Sequence, residues 1–232
     1  MNSKEFASGL GIRVHARTTR VDNPHVAYSY ISSAAVKVGD DVLEVSQSGE
    51  LFINGDEVYD EGSSLAGYTL IRFFKGTQKR IVVFSLDLLG GKIIKIHANI
   101  KAGMVFVDIE GYFGDSEGLL GAPQQKGSGL FSRDGMDDLS GHWNTYAEEW
   151  QVRNTEPKLF KDKKRTPQHP AGCVYKSKKK TNLRRRRLMD DRISVEDATR
   201  ACADASDQMK EFCVFDVEAS GDLDLALDTF YR

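Results

Sequence analysis

The sequence predicts a mainly β protein: an antiparallel β-sandwich followed by a small C-terminal α-helical tail. Short segments rich in Val, Ile, Phe and Tyr recur through the first two-thirds of the 232 residues, and glycine-containing turns separate them. Segments of this kind are typical of β-strands, and strands that follow one another without helices favour antiparallel pairing in a sandwich or barrel. The chain is also long enough to bury a sizeable core.

The strands are predicted in chain order from alternating apolar residues and from the turns between them. They are residues 11–18, 26–38, 42–45, 51–53, 68–74, 80–86, 92–97, 104–109 and 148–152. The sharpest turn signal is Asn54-Gly55, because both residue types tolerate the positive φ angles of a type I′ hairpin turn. Residues 114–141 are rich in glycine and polar residues and predict an ordered loop.

The charge distribution divides the chain into three parts. Residues 158–192 contain fourteen Lys and Arg against three Asp, whereas residues 193–232 contain three basic and ten acidic residues. We therefore predict a sandwich over residues 1–157, a solvated basic linker over 158–192 and a helical tail over 193–232. Within the tail, Ser194 is predicted to cap a helix that has Asp197 at its third position. Short helices are also expected around 209–217 and 223–227.

Catalytic motifs find little support in the sequence. The five histidines are His15, His25, His97, His142 and His169. They are scattered, and no metal-binding histidine pair occurs. His142 lies close to Asp137 in sequence, but a surface histidine is the better interpretation than an acid–base pair. We expect no enzymatic activity.

Three motifs follow one another before the basic segment: Gly118-Leu119-Leu120-Gly121, then Arg133-Asp134-Gly135, then Glu149-Trp150-Gln151-Val152. Their order resembles the end of von Willebrand factor type D domains, and the Asn54-Gly55 hairpin and residues 212–217 are also similar to that family. The resemblance covers nearly the whole chain. It implies a β-sandwich that serves as a structural or adhesive module of a larger extracellular or cell-surface protein, with other proteins or glycans as partners.

The family's calcium loop is altered in this chain. The matching residues 122–126, Ala-Pro-Gln-Gln-Lys, supply no carboxylate for calcium. Asp134, Asp137 and Asp138 form the acidic cluster near that loop, and they indicate either a calcium site or a solvated turn. We expect no cofactor, with calcium at these three aspartates as the alternative.

The resemblance also implies secretion, although residues 1–11 lack the apolar stretch of a signal peptide. We therefore expect an N-terminally truncated piece of a secreted protein. On that hypothesis Cys202 and Cys213 form a disulfide, which requires a helix break near residues 205–207, because eleven helical positions would separate the two by about 16 Å. Three reduced thiols are the alternative.

The third cysteine, Cys173, matches a family cysteine whose partner lies in strands upstream of this chain. No cysteine precedes it, so Cys173 is expected to be a free thiol and the sandwich to have an open sheet edge that favours self-association.

The basic segment has three interpretations. Arg184, Arg185, Arg186 and Arg187 form a charged linker, a processing or anionic-glycan site, or part of a nuclear or nucleic-acid-binding signal. The last supports the alternative function, an intracellular regulatory or nucleic-acid-binding module that uses residues 176–187. We expect no nucleic-acid partner, because no aromatic residue interleaves with these basic residues. We expect no membrane span either, because the sequence has no apolar run of about 18 residues.

Overall fold

The computed structural model describes residues 2–9, 11–20, 29–59, 62–65, 68–75, 81–113, 116–119, 130–153, 155–161, 193–220, 223 and 226. The chain forms two compact units, Met1–Val174 and Tyr175–Arg232. The first contains β1 (Asn2–Gly9), β2 (Ile12–Arg20), β3 (Ser29–Val38), β4 (Asp41–Ser46), β5 (Leu51–Ile53), β6 (Asp56–Val58), β7 (Gly62–Leu65), β8 (Tyr68–Lys75), β9 (Ile81–Leu88), β10 (Lys92–Asn99), β11 (Met104–Glu110) and α1 (Trp143–Glu149). The second contains α2 (Val195–Ala201) and α3 (Asp207–Ser220).

Two antiparallel sheets make up the first unit. Sheet 1 has the order β1-β2-β3-β4-β5-β6, and sheet 2 has the order β11-β10-β9-β8-β7, so within each sheet every strand pairs with its neighbours in sequence. Inward-facing residues of both sheets share one apolar core, among them Val36 and Leu43 of sheet 1 and Phe84 and Ile96 of sheet 2, all fully buried. The predicted mainly β fold, an antiparallel sandwich with a small helical C-terminal part, is confirmed.

The Asn54-Gly55 turn has the predicted geometry. Asn54 has a φ of 53° and Gly55 a φ of 90°, and the turn joins β5 to β6. The Asn54 side chain accepts a hydrogen bond from Val42 N–H at 2.9 Å and donates one to Asp41 Oδ1 at 2.9 Å. Asp41 Oδ2 accepts the hydroxyl of Tyr68 from sheet 2 at 3.3 Å. The Asp41 carboxylate therefore links the Asn54-Gly55 hairpin of sheet 1 to Tyr68 of sheet 2.

The strand alternation is interrupted within β3, in the middle of sheet 1. Arg17 pairs with Ser33 but Thr18 pairs with Ile31, so Ser32 bulges from β3. The Ser32 hydroxyl donates to the Arg17 carbonyl at 3.2 Å. The bulge changes which parity faces inward, so Ile31 as well as Ala34 packs against the core.

The predicted strand over residues 148–152 is wrong. Trp143–Glu149 is the helix α1, and Trp150 N–H donates to the Tyr146 carbonyl at 3.3 Å in the helical i to i−4 pattern. Trp150 and Val152 are buried as the alternation suggested. Three strands were also not predicted: β1, β6 and β7.

The second unit confirms the predicted helix start and break. The Ser194 hydroxyl accepts a hydrogen bond from Asp197 N–H at 3.0 Å, which caps α2. α2 ends at Ala201 and α3 begins at Asp207, so the chain turns between them. Among the helices that the structure describes, none combines the length and apolar character needed to cross a membrane.

Candidate functional site

A segment after α1 covers the outer face of sheet 1. We call residues 150–153 and 155–161 the covering segment. Leu159 and Phe160 are buried against Ala35, whose position on β3 faces away from the sandwich core, and the Arg17 guanidinium lies 4.1 Å from the centroid of the Phe160 ring. The predicted linker boundary at residue 157 therefore falls inside a segment that still packs on the sandwich.

Two contacts attach Lys161 to the outer face of sheet 1. Lys161 N–H donates to Glu44 Oε2 at 2.6 Å, and Lys161 Nζ lies 4.9 Å from the Phe52 ring centroid. Glu44 and Phe52 are register partners on β4 and β5, and both face away from the core. The covering segment is therefore attached across β2, β3, β4 and β5.

His15 is buried on the same face of sheet 1. It pairs with Ala35 in the sheet, is 1% exposed, and its Nδ1 has no hydrogen-bond partner. Burial, with the charges of Arg13 and Arg133, lowers the pKa of His15 to about 4 although Glu156 acts in the opposite direction. The imidazole is therefore neutral at neutral pH.

Arg133 joins the covering segment to the loop before α1. It forms an ion pair with Glu156 and donates to the Gln151 carbonyl at 3.1 Å, and its guanidinium lies 5.2 Å from the Trp150 ring. Partial burial alone would raise the pKa of Glu156. Hydrogen bonds from Arg153 N–H and Arg133, together with the charges of both arginines, outweigh burial and lower that pKa. Glu156 is therefore an anion that holds the loop to the covering segment.

The three aspartates predicted as a calcium site lie in this loop, residues 130–140, which we call the contact loop. Asp134 Oδ1 accepts hydrogen bonds from the Ser132 hydroxyl at 2.6 Å and from Met136 N–H at 3.0 Å. Asp138 Oδ1 accepts Ser140 N–H at 2.9 Å, and Asp137 contributes its backbone carbonyl, which accepts Ser132 N–H at 2.9 Å. The carboxylates thus stabilise the turn itself.

The contact loop closes as a small hairpin. Leu139 N–H donates to the Leu130 carbonyl at 2.6 Å, and Leu130 N–H donates to the Ser140 hydroxyl at 3.0 Å. In the part of the chain that the structure describes, no group of three or more His, Cys, Asp or Glu residues is arranged to hold a metal ion. The loop geometry is that of a self-bonded turn.

His97 is a second buried histidine, and sequence reasoning missed that it has an acidic partner. His97 Nε2 lies 3.0 Å from Asp108 Oδ2, and the two side chains are 1% and 22% exposed. They stand on the paired strands β10 and β11, and their positions share the parity that faces away from the core. That shared parity was the available signal. His142, by contrast, is exposed at the start of α1.

The Gly-Leu-Leu-Gly motif and α1 are in contact. The Tyr146 hydroxyl donates to the Gly118 carbonyl at 2.5 Å, and Tyr146 packs edge-on against Trp150 with ring centroids 6.4 Å apart. Two of the three motifs that carry the family resemblance, one with Gly118 and one with Trp150, are thus connected through Tyr146.

The predicted disulfide is present in the helical unit. Cys202 and Cys213 are bonded, with their Cα atoms 6.0 Å apart, and both are fully buried between α2 and α3. Cys173 therefore has no partner left for a disulfide within the chain, which contains three cysteines. Cys173 itself and the predicted processing site Arg184–Arg187 lie outside the described residues.

No family model matches the sequence. No curated protein gives a significant match. The resemblance to von Willebrand factor type D domains therefore depends on the motifs alone.

Proposed function

We propose that the chain is a non-catalytic interaction module of an extracellular or cell-surface protein, similar to von Willebrand factor type D domains, and that it binds another protein through the contact loop. One observation carries the proposal: the loop is held by its own hydrogen bonds and by Arg133, yet Met136 near its tip is 82% exposed. A preformed loop loses little conformational entropy on binding. An exposed methionine adapts to an apolar partner surface.

The loop's charge indicates the chemistry of the partner. Hydrogen bonds from Ser132 and Met136 lower the pKa of Asp134, and those from Ser140 lower the pKa of Asp138, so both exposed carboxylates are ionised at neutral pH. An apolar residue between two anions fits an apolar pocket with Lys or Arg at its rim. A protein surface of this kind is favoured over an anionic glycan, which these carboxylates would repel.

The disulfide supports the proposed extracellular location of the module. Disulfides persist in oxidising environments, such as the secretory pathway and the cell exterior, and are rare in the cytosol. The bond between Cys202 and Cys213 therefore favours an extracellular module over the intracellular alternative. Verification of this bond in protein isolated from its natural source would test the compartment directly.

Binding to intact cells tests the contact loop. Fluorescently labelled protein is titrated onto cells, and wild type is compared with Met136→Glu. Leu89→Glu is the matched control, because Leu89 is 78% exposed in the turn between β9 and β10. We expect Met136→Glu to weaken binding about tenfold or more and Leu89→Glu to leave it unchanged.

Two results would refute the proposal. The first is equal binding by all three proteins, or an equal loss in both variants, which would remove the contact loop from the interface. The second is binding that depends on added nucleic acid and weakens steeply with salt, which would favour the intracellular alternative.

A further inference from the structure

The surroundings of His15 make the attachment of the covering segment sensitive to protonation. One side of the ring is the sheet itself, and the neighbouring position Ala35 is covered by Leu159 and Phe160. A proton on His15 would therefore create a cation at a site that is 1% exposed. The sheet carries the apolar core on its other face, so we expect water to reach the ring from the side on which the covering segment lies.

Charges of both signs surround His15, and burial is the largest cause of its lowered pKa. Arg13 stands two positions before it on β2 and Arg17 two positions after it, on the same face; Glu5 is its register partner on β1. On β3 the partner is the uncharged Ala35, and beyond it on β4 lies Glu44, which is bonded to Lys161 N–H. From the covering side come Arg133 and Glu156, which are paired with each other.

We propose that protonation of the His15 imidazole releases the covering segment from sheet 1. This release also breaks the Arg133–Glu156 ion pair that anchors the contact loop. The inference goes beyond the proposed function, because it concerns a regulated change in the fold. It gives the module one state at neutral pH, with an anchored loop, and another state in acidic surroundings, with the outer face of sheet 1 uncovered.

The direction and the pH window follow from proton linkage. The pKa of His15 is about 4 with the covering segment in place, whereas an exposed histidine has a pKa of about 6.5. The closed state therefore binds fewer protons. The free energy by which the neutral imidazole favours the closed state is complete above about pH 6.5 and is lost as the pH falls toward about 4. Between about pH 7.5 and about pH 5, the equilibrium constant for opening should rise about 30-fold.

Hydrogen exchange of the whole chain measures this opening. Protection factors, corrected for the intrinsic pH dependence of exchange, are compared at about pH 7.5 and about pH 5 for the covering segment and for β10. We expect an approximately 30-fold loss of protection in the covering segment and little change in β10. The chosen window lies above the usual pKa of a glutamate, and the pKa of Glu156 is lowered further, so Glu156 stays ionised.

Three variants separate protonation of His15 from other causes of the pH-dependent loss of protection. His15→Gln and His15→Leu remove the titrating group and should make the protection of the covering segment independent of pH in this window. His142→Gln, the same change at an exposed histidine, should retain the full effect. NMR titration of His15 in the wild type requires no variant, and it should give a pKa near 4.

Four outcomes would overturn the proposal. These are unchanged protection of the wild-type segment at about pH 5, an equal loss in β10 that indicates global unfolding, a pH response retained by both His15 variants, and an ordinary pKa for His15. If His15→Gln fails to fold, His15→Leu and the NMR titration still decide the matter.

Discussion

Breaking the Cys202–Cys213 disulfide should destabilise the helical unit by about 2.8 kcal/mol. The two cysteines are 11 positions apart, and the loop-entropy relation for a closed loop of that length gives about 9 cal/mol/K, or about 2.8 kcal/mol at room temperature. The described buried residues of this unit include Ala198, Ala205 and Val217, which are small. A single core of such a size supplies only about 3–5 kcal/mol, so the loss removes most of its stability.

Hydrogen exchange of α3 amides gives the measurement. At about tenfold per 1.4 kcal/mol, the expected loss of 2.8 kcal/mol corresponds to exchange about 100-fold faster in the reduced protein. Reduction removes no heavy atom, so it perturbs packing less than a substitution of either cysteine would. The double variant Cys202→Ala and Cys213→Ala should behave similarly, and Cys173→Ser should match the oxidised wild type.

The sandwich serves as an internal reference, because the helices belong to a separate compact unit. Exchange of core strand amides should not change on reduction. Exchange of α3 amides within about threefold of the oxidised value, less than 1 kcal/mol, would refute the argument that the bond holds this unit together. An effect of Cys173→Ser equal to that of the double variant would instead show that Cys173 takes part in the pairing.

Two further predictions concern single contacts. Ser194→Ala should destabilise α2 by about 1 kcal/mol, because it removes the acceptor for Asp197 N–H; Ser194→Asn keeps an acceptor, and exchange of α2 amides in the two variants should therefore differ. Calcium at about millimolar concentration should shift the melting temperature by less than about two degrees, because the Asp134 and Asp138 carboxylates already accept hydrogen bonds within the contact loop. A rise of about ten degrees in a calorimetric scan would show that a calcium site forms there after all.

Local signals in the sequence predicted most strands and the start of α2. Asn54-Gly55 predicted its hairpin because the preference for positive φ belongs to those two residues and needs no tertiary context. Ser194 predicted the start of α2 for the same reason, since its acceptor serves an N–H only three residues away. The disulfide was predictable once secretion was assumed, because only a broken helix brings the two cysteines together.

Features that depend on distant residues were not predictable in the same way. Trp150 and Val152 suggested a strand through their alternation. The spacing of Trp143, Tyr146 and Trp150 was equally a helical pattern. The backbone hydrogen bonds of this segment follow the helical pattern and form α1. β1 carries the mixed residues of Asn2–Gly9 and forms by pairing with β2.

The candidate site was the least predictable part. His15 lies in a predicted strand, but its register partner Ala35 is covered by Leu159 and Phe160, which approach from far along the chain. The sequence places Asp134, Asp137 and Asp138 close together in one predicted loop. It did not indicate that Ser132, Met136 and Ser140 would donate hydrogen bonds to the carboxylates of Asp134 and Asp138. Those bonds depend on the path of the turn.

The covering segment also sets an order for synthesis. Lys161 bonds to Glu44 across 117 positions of chain, so sheet 1 is complete in sequence long before its cover leaves the ribosome. During that interval the outer face, with Ala35, Val42 and the neutral His15, is open to other apolar surfaces, and partly folded chains with such faces aggregate. Nascent chains that end before residue 159 should therefore associate with chaperones, and chains extended past residue 161 should be released.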